Sequence, residues 1–427
     1  MIRRIWFIVF TAFLAFAFTA FPARGKQPVR IGINYPLTGP YSVEGLDQIR
    51  AARMAVDEIN HTGGIMGHRV RLLTRNSASD VLQTRINVNE LINSNCTMIF
   101  GGSSSAVAIA SAEICQKRNV IFFGTLTYST ATTLEGAQKT SFRECNNSWM
   151  SAQVMADWLN THYAGKRYHY ITADYTWGWT TEDSIRQVTD TMNQVHHQGA
   201  LIPLGAVDFS VPLQQAKKNN PDVLVLSLFG KDLAYALQQA AAMDFKDTLI
   251  VVPNLTLGMA ERAGAAAMEN VVGTVPWTWN IPYLYDYARG KEFVEEFVKR
   301  YHRHPSSSGA SAYTIVYEYK SAVERAGSFE TAKVVQALEG HEYTLLKDAQ
   351  WWRPMDHQSV QTVYMVRGKD LELMHIGTQR MDYFTILSSK PGELTVRSPK
   401  KWKRLRRDAG LPETLPAPPQ WKGKATP

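Results

Sequence analysis

Cysteine is scarce in this chain: Cys96, Cys115 and Cys145 are the three in 427 residues. No two stand at the short spacing of a metal site, and any single disulfide leaves one thiol unpaired. Also missing are a His-Glu-x-x-His pair, a Gly-rich loop followed by Lys and Ser/Thr, and a dinucleotide fingerprint. These absences remove zinc hydrolases, P-loop ATPases and dinucleotide-dependent dehydrogenases as readings. Gly101-Gly102-Ser103-Ser104-Ser105 lacks the closing glycine of a hydrolase nucleophile elbow. His196-His197 and His302/His304 lie in polar stretches with no Cys or carboxylate to complete a ligand set, and read as solvated surface. No catalytic residue, metal or cofactor is expected.

Charge is also thin over most of the chain. The formal net charge is +8, but Arg3, Arg4 and Arg24 supply +3 of it and the segment from Ser398 onward supplies +6, leaving the rest near −1. The basic balance therefore belongs to the termini and gives no reason to expect nucleic acid. The tail, 391–427, combines a Lys/Arg run with Pro-Ala-Pro-Pro and reads as disordered. Contact with an anionic membrane surface or a partner is the other reading of its charge. Its deletion from Ser398 is expected to leave ligand affinity intact.

Long apolar runs are confined to one place. Residues 1–25 open with Arg3-Arg4, run apolar from Ile5 to Phe21, and offer small residues at Ala23 and Gly25. That is the pattern of a cleaved signal peptide, with an uncleaved anchor as the weaker rival. No cysteine follows the run, which speaks against a lipid anchor. The expected mature chain is exported, soluble and monomeric.

An apolar fraction of 45% with 20% charged residues is that of a globular protein. The length exceeds one ordinary core and suits two α/β lobes. Val29 to Ile33 is a short apolar strand that breaks at Pro36 and Gly39-Pro40. From Leu46 to Asn60 the apolar positions recur every three or four residues, which predicts a helix closed by Gly63-Gly64. A second strand, Val70 to Arg75, follows. Strand, helix and strand with short links form a right-handed crossover of a parallel sheet.

The alternation continues with a helix Val81–Asn93, a strand Thr97–Phe100, a helix Ala106–Gln116 and a strand Val120–Phe123. Cys96 and Cys115 fall at one edge of that sheet, where a disulfide in an oxidising compartment and buried thiols are both open. A second set has a helix Ser151–Tyr163, a strand Tyr168–Ala173, a helix from Thr181, and strands Val223–Leu228 and Leu249–Val252. Helices Tyr287–Tyr301, Ala310–Ala326 and Thr331–Leu338 return to the first lobe. A last strand pair, Val360–Val366 with Glu372–Ile376, closes the second. The chain thus crosses between lobes near 142–147, 274–280 and 342–346. The expected lobes are 26–142 with 280–342, and 147–274 with 346–390.

Three groups of residues carry a family resemblance: Pro36-Leu37-Thr38-Gly39-Pro40, Ala55-Val56-Asp57-Glu58-Ile59-Asn60 and Gly63-Gly64-Ile65-Met66-Gly67. In that order they resemble the opening of periplasmic solute-binding proteins of the branched-chain amino acid and amide transport class. Asp174-Tyr175-Thr176-Trp177-Gly178 is similar to the second-lobe strand-end motif of that family. Arg353-Pro354-Met355-Asp356-His357-Gln358 is similar to a segment before its late strands and reads as structural. The resemblance spans about Val29 to Ile376. It implies a type I periplasmic binding fold of two doubly wound, mostly parallel lobes on a three-strand hinge. It also implies a periplasmic protein serving an inner-membrane ABC permease and its ATPase.

Ligands of doubly wound sheets lie beyond the carboxyl ends of the strands. Ser103, Ser104 and Ser105 sit there, at a helix start where backbone N–H groups and hydroxyls receive an anion or polar group. One of the three is also a plain N-cap. Thr125, Leu126 and Thr127 occupy the same place one strand on. The resemblance implies that these loops hold the polar head of the solute, the carry-over falling on Ser103, Ser105, Thr125 and Thr127. It makes Tyr41 and Tyr175 aromatic walls from opposite lobes; Trp177, for which ligand contact and packing both stay open, and Phe229 are further ligand-binding candidates. Trp277 and Trp279 share one face of an extended crossing and read as hinge packing.

Asn254 stands in the turn that resembles the one carrying an ammonium-pairing carboxylate in amino-acid binders. A neutral amide there argues against an ordinary amino acid. Asp174 is the possible substitute, but reads as a helix cap. An amide, urea-like solute or small or aromatic carboxylate fits better. The rival functions are a sensory subunit of the same fold signalling to a membrane kinase or chemoreceptor, and a secreted hydrolase using Ser103.

Overall fold

The computed structural model describes residues 26–419 apart from 246 and 377–379. The N-terminal apolar stretch and the last eight residues of the tail lie outside the described residues. The first lobe opens with β1 (Val29–Tyr35), α1 (Ser42–His61), β2 (Val70–Asn76), α2 (Val81–Asn93), β3 (Cys96–Gly101), α3 (Ser105–Lys117), β4 (Ile121–Gly124) and β5 (Ser141–Arg143). These strands make a parallel five-stranded sheet in the order β2-β1-β3-β4-β5. β1 is an inner strand covered on both faces: Ile31 and Ile33 are fully buried on one, and Leu91 of α2 packs on Gly32 on the other. Each such side chain contributes about 1.5–3 kcal/mol by leaving water. Side-chain caps set the helix starts: Asp80 accepts from Gln83 N at 2.6 Å at α2, and Ser104 caps α3.

The second lobe carries α4 (Ser148–His162), β6 (Tyr168–Ala173), α5 (Thr176–Thr189), β7 (Gly199–Ile202), α6 (Ser210–Lys218), β8 (Val223–Ser227), α7 (Gly230–Ala242), β9 (Leu249–Val252), α8 (Leu257–Ala263), α9 (Ala265–Met268) and β10 (Val272–Val275). The chain then forms α10 (Ile281–Leu284), α11 (Ala288–Tyr301), α12 (Ser307–Ala326) and α13 (Thr331–Leu338). The last three pack their apolar faces into the core of the first sheet, through residues such as Phe297, Tyr313 and Val335. A small antiparallel sheet of β11 (Glu342–Tyr343), β12 (Gln350–Trp352) and β13 (Ser359–Val360) leads back to the second lobe. There β14 (Val363–Gly368), β15 (His375–Ile376), β16 (Arg380–Met381) and β17 (Phe384–Lys390) follow, and then a terminal helix, α14 (Pro399–Asp408). The second sheet runs β17-β14-β10-β9-β8-β6-β7. Within it β14 runs antiparallel to both its neighbours, so the edge strand β17 points the same way as β10, β9, β8, β6 and β7.

Several points differ from the sequence reading, among them the strand β5, which forms where the alternation was expected to break. The partner of β14 is β17, whereas Leu371–Leu373 is a single 3-10 turn and β15 pairs with β16. The helix expected from Thr181 begins at Thr176, which puts Trp177 and Trp179 on α5. The tail is ordered over its first part, with Trp402 and Arg406 of α14 each 2% exposed. Cys96, Cys115 and Cys145 are free and buried, and burial raises the Cys96 and Cys145 thiols to about 12. No helix among the described residues is long and apolar enough to cross a membrane.

The three crossings are tied together by one buried ammonium. Lys347 Nζ, on the third crossing, donates to Pro276 O on the second at 2.8 Å and to Gln361 Oε1 and Thr362 O at 2.8 and 2.7 Å. Gln361 in turn donates to Glu144 O on the first. Burial lowers the Lys347 pKa to about 8. Beside it, buried Arg143 donates to Gln358 Oε1 at 2.7 Å, and His357 stacks on Phe142 at 4.0 Å. Arg353 pairs with Asp356 at 2.5 Å, so the Arg353–Gln358 segment is hinge structure. Trp277 packs on Phe293 and Trp279 stacks on His304 at 3.8 Å.

Candidate functional site

The carboxyl ends of β3 and β4 place Ser103–Ser105 and Thr125–Tyr128 on the first-lobe wall of the cleft. The ends of β6 and β8 place Tyr175, Trp177 and Phe229 opposite. Ser103, Ser104, Ser105, Thr127, Tyr128, Tyr175, Trp177 and Phe229 line one chamber there. In this closed form the chamber measures about 10 Å³, close to the minimum for one water. Its walls must therefore move apart to admit a solute.

The polar atoms of this chamber are unusual for buried groups. Ser103 Oγ, Ser105 Oγ, Thr127 Oγ1 and Trp177 Nε1 are buried with no hydrogen-bond partner among the described residues. Buried polar atoms are nearly always paired, so four orphans around one space mark where a ligand's polar atoms belong. The chamber also collects three helix starts: Ser104 is the N-cap of α3, Tyr175 of α5 and Phe229 of α7. The caps of α5 and α7 carry no side-chain hydrogen bond. Three positive helix ends whose N-cap residues line one chamber favour an anion.

The remaining wall is aromatic. Phe229 packs edge-on against Tyr41 at 5.4 Å and against Trp177 at 5.7 Å, and lies 5.6 Å from Tyr128. No charged side chain lines the chamber. Two acids act on the aromatic hydroxyls there: Glu44, which accepts from Thr256 Oγ1 at 2.8 Å, and Asp232, which accepts from Gly205 N at 2.8 Å. Burial lifts the two carboxyls to about 7 and about 6.

Several expected residues stand elsewhere. The Thr125 hydroxyl donates to Gln48 Oε1 at 2.6 Å and is used up inside the first lobe. Leu126 belongs to a buried apolar cluster. Asn254 is 1% exposed and is not among the residues lining the chamber; its Oδ1 accepts from Ser151 Oγ at 3.4 Å, while its Nδ2 has no partner among the described residues. Tyr41 stands at the rim, its hydroxyl 3.0 Å from that of Tyr175. Asp174 does not cap α5; it is exposed and accepts from Trp179 Nε1 at 3.0 Å. His197 is buried, its Nδ1 accepting from Tyr168 N at 3.2 Å, and His304 is buried beneath Trp279, so neither is a surface residue. Among the described residues no group of His, Cys, Asp and Glu is arranged to hold a metal. Tyr128 escaped the sequence reading although it adjoins Thr127.

Polar contacts among the described residues join the lobes around the chamber. They include the Tyr41–Tyr175 pair, the Thr256–Glu44 bond, Lys231 N to Pro40 O at 3.3 Å, and Arg303, which pairs with Asp47 of α1 and, at 2.5 Å, with Glu261 of α8. Two glycines make the approach possible. A Cβ on Gly230 would stand 2.7 Å from Tyr41 and from Pro40 O, and one on Gly258 would stand 2.5 Å from Val43 Cγ1.

A family model described as "Periplasmic binding protein" matches residues 28–372. Leu/Ile/Val-binding protein homolog 7 of Brucella abortus (strain 2308) is 25% identical over 338 residues, covering 75% of this chain and 83% of its own. Leu/Ile/Val-binding protein BraC3 of Rhizobium johnstonii is 23% identical over 318 residues, covering 74% and 84%. Among solved structures, a periplasmic binding protein from Burkholderia mallei superposes with a TM-score of 0.79 at 20% identity, covering 88% of this chain and 97% of that one. A solute-binding protein of an ABC transporter from Rhodopseudomonas palustris BisB5, in complex with 3,4-dihydroxybenzoic acid, gives a TM-score of 0.76 at 17% identity, covering 88% and 99%.

Proposed function

Because this chain belongs to the periplasmic binding protein family, we propose that it captures a small carboxylate with an aromatic or otherwise apolar body in its interlobe cleft. The observation that carries this is the convergence of three helix N-termini and three unpartnered hydroxyls, Ser103, Ser105 and Thr127, on an aromatic chamber with no charged side chain. The helix ends and hydroxyls receive the carboxylate, and the rings of Tyr128, Tyr175 and Phe229 receive the body. An α-ammonium would be buried without a carboxylate at the chamber wall, which costs several kcal/mol. The bound ligand of the Rhodopseudomonas protein has this chemistry, an aromatic ring with a carboxylate.

A closed form whose chamber has widened around the solute is the one handed to an inner-membrane ABC permease, after residues 1–25 are removed and the chain is released into the periplasm. Contacts to both lobes let a solute shift the hinge equilibrium towards closure. No ATP-binding motif occurs in the chain, so the energy for transport comes from the permease's ATPase. Ser103 Oγ has no hydrogen-bond partner among the described residues, and so no base to activate it as a nucleophile.

Thermal-shift screening of the chain from Lys26 tests the ligand class. The panel holds benzoate, hydroxybenzoates, aliphatic carboxylates, amides, urea and leucine-type amino acids. A solute binding only the folded state stabilises it by about 2.7 kcal/mol at 100 times its Kd. Carboxylates without an ammonium group raise Tm and leucine does not; the reverse pattern overturns the proposal.

A further inference from the structure

The ordered chain continues beyond the last strand of the second sheet and returns to the first lobe. After β17 the backbone presses on the third crossing at Gly392, where an added Cβ would stand 2.3 Å from Gln361 N. Arg353, also on that crossing, donates Nη1 to Arg397 O at 2.7 Å. The Arg397 guanidinium lies 4.8 Å from the ring centre of Trp149, in the first turn of α4. To this point the segment touches the second lobe and the hinge.

α14 then carries it across. Ser398 caps the helix by accepting from Lys401 N at 3.3 Å, and Pro399 opens it. The Trp402 indole donates Nε1 to Thr133 O at 2.8 Å. Arg406, one turn on, donates to Leu134 O, and its Nε donates to Pro412 O at 2.5 Å. Beyond the helix, Pro416 O accepts from Gln116 Nε2, at the end of α3, at 2.8 Å. Thr133, Leu134 and Gln116 all belong to the stretch between β3 and β5. Trp402 and Arg406 share one helix face, and that face is buried, whereas Lys400, Lys403 and Arg404 are exposed. The loop holding Thr133 also meets the second lobe, with Ser129 Oγ 3.2 Å from Thr180 Oγ1 of α5.

We propose that residues 391–416 are a strap, a fourth tie between the lobes that favours the closed geometry. The three crossings are continuous chain and follow a hinge rotation by bending. The strap differs because, among the described residues, its far end is held by a buried indole, an arginine and the Gln116 amide, each bonded to a backbone carbonyl. Moving the lobes apart displaces Trp149 and β17 relative to Thr133, Leu134 and Gln116, so the strap must slide or peel. The burial and hydrogen bonds of Trp402 and Arg406 are then lost, and that loss opposes opening. The match to the family model ends at residue 372, so this device lies outside the matched region. The inference rests on the binding-protein reading only for what closure does.

The test needs no solute. Solution X-ray scattering is recorded on the ligand-free chain from Lys26, on the same chain lacking 398–427, and on full-length Trp402→Ala/Arg406→Ala. The two altered chains are expected to have a larger radius of gyration than the parent, with a single cooperative unfolding transition retained. An unchanged or smaller radius in the altered chains overturns the strap. If the truncated chain does not fold, the double variant decides alone. A wrong solute class leaves this comparison untouched, so the two proposals fail separately.

Discussion

The Tyr41 and Tyr175 hydroxyls meet 3.0 Å apart, one from each side of the cleft. Tyr41 is fully buried, and burial raises the Tyr175 and Tyr41 pKa values far out of the physiological range, so both remain neutral hydroxyls. The pair exists only when the lobes are closed. Tyr175→Phe keeps the ring and deletes the hydrogen bond, removing about 0.5–1.5 kcal/mol from the closed form alone. Solute affinity measured by calorimetry should fall roughly two- to tenfold, while the Tm of the free protein stays within a degree or two of the parent.

Gly258 tests closure by steric means. It lies in the first turn of α8 facing α1, where a Cβ would stand 2.5 Å from Val43 Cγ1 and 3.0 Å from Glu44 Oε1. Gly258→Leu is favourable for the helix itself by up to about 1 kcal/mol. The variant is therefore expected to fold with an equal or higher Tm and to bind at least about tenfold more weakly, since the wedge strains the closed state by upward of 1.4 kcal/mol. Unimpaired binding would show that the lobes do not approach this closely around the solute. Gly230 is a poorer choice, because its φ of 64° penalises any side chain in its own right.

Four of the five strands of the first-lobe sheet were legible, β1, β3 and β4 as short apolar runs and β2 from its place after the first helix, whereas β5, three residues long and ending in Arg143, was taken for part of the first crossing. β17 was missed because Phe384–Lys390 is an edge strand with half its residues polar, and its only partner in the sheet is β14. α14 was missed because a Lys/Arg run beside prolines reads as solvated. Only the placement of Trp402 and Arg406 one turn apart signals a buried face. In the site, serines and threonines at strand ends were readable from topology, as was Tyr175. That Thr125 spends its hydroxyl on Gln48, and that three helix starts meet, follows from tertiary placement and lobe closure. His197 and His304 were misjudged for the same reason: neighbouring polar residues do not tell which side chains a loop folds inward.

Glu44 makes binding depend on pH. In the closed form burial lifts its carboxyl from 4.5 to about 7; the Thr256 hydroxyl and Arg303 act in the opposite sense and Asp47 reinforces the rise. Opening exposes Glu44 to water, where its ordinary value returns. Between those two values the open protein has lost the proton and the closed one keeps it. Closure then takes up a proton, and its stability falls as pH rises. Affinity for a solute whose own carboxylate is fully ionised should weaken between pH 5.5 and 7 by up to about tenfold per unit, then level off. Glu44→Gln should flatten that profile; a sloping profile in the variant assigns the proton to another group.

Ser103 and Thr127 separate ligand binding from folding, because their hydroxyls have no protein partner to lose. Ser103 Oγ and Thr127 Oγ1 are buried and unpaired in the closed chamber. An unpaired buried hydroxyl costs folding free energy. Ser103→Ala removes that cost without opening a cavity, and Thr127→Val does so at nearly constant volume. Each variant is expected to leave Tm unchanged or raise it slightly. If the hydroxyls receive a carboxylate, each bond to the charged group is worth about 1.5–3 kcal/mol, which corresponds to a loss of roughly tenfold to a hundredfold in affinity. A neutral amide in the same place would lose only about 0.5–1.5 kcal/mol per hydroxyl. The size of the loss thus reports the charge of the solute's head group, and a loss of Tm together with affinity would show that the two hydroxyls serve the fold.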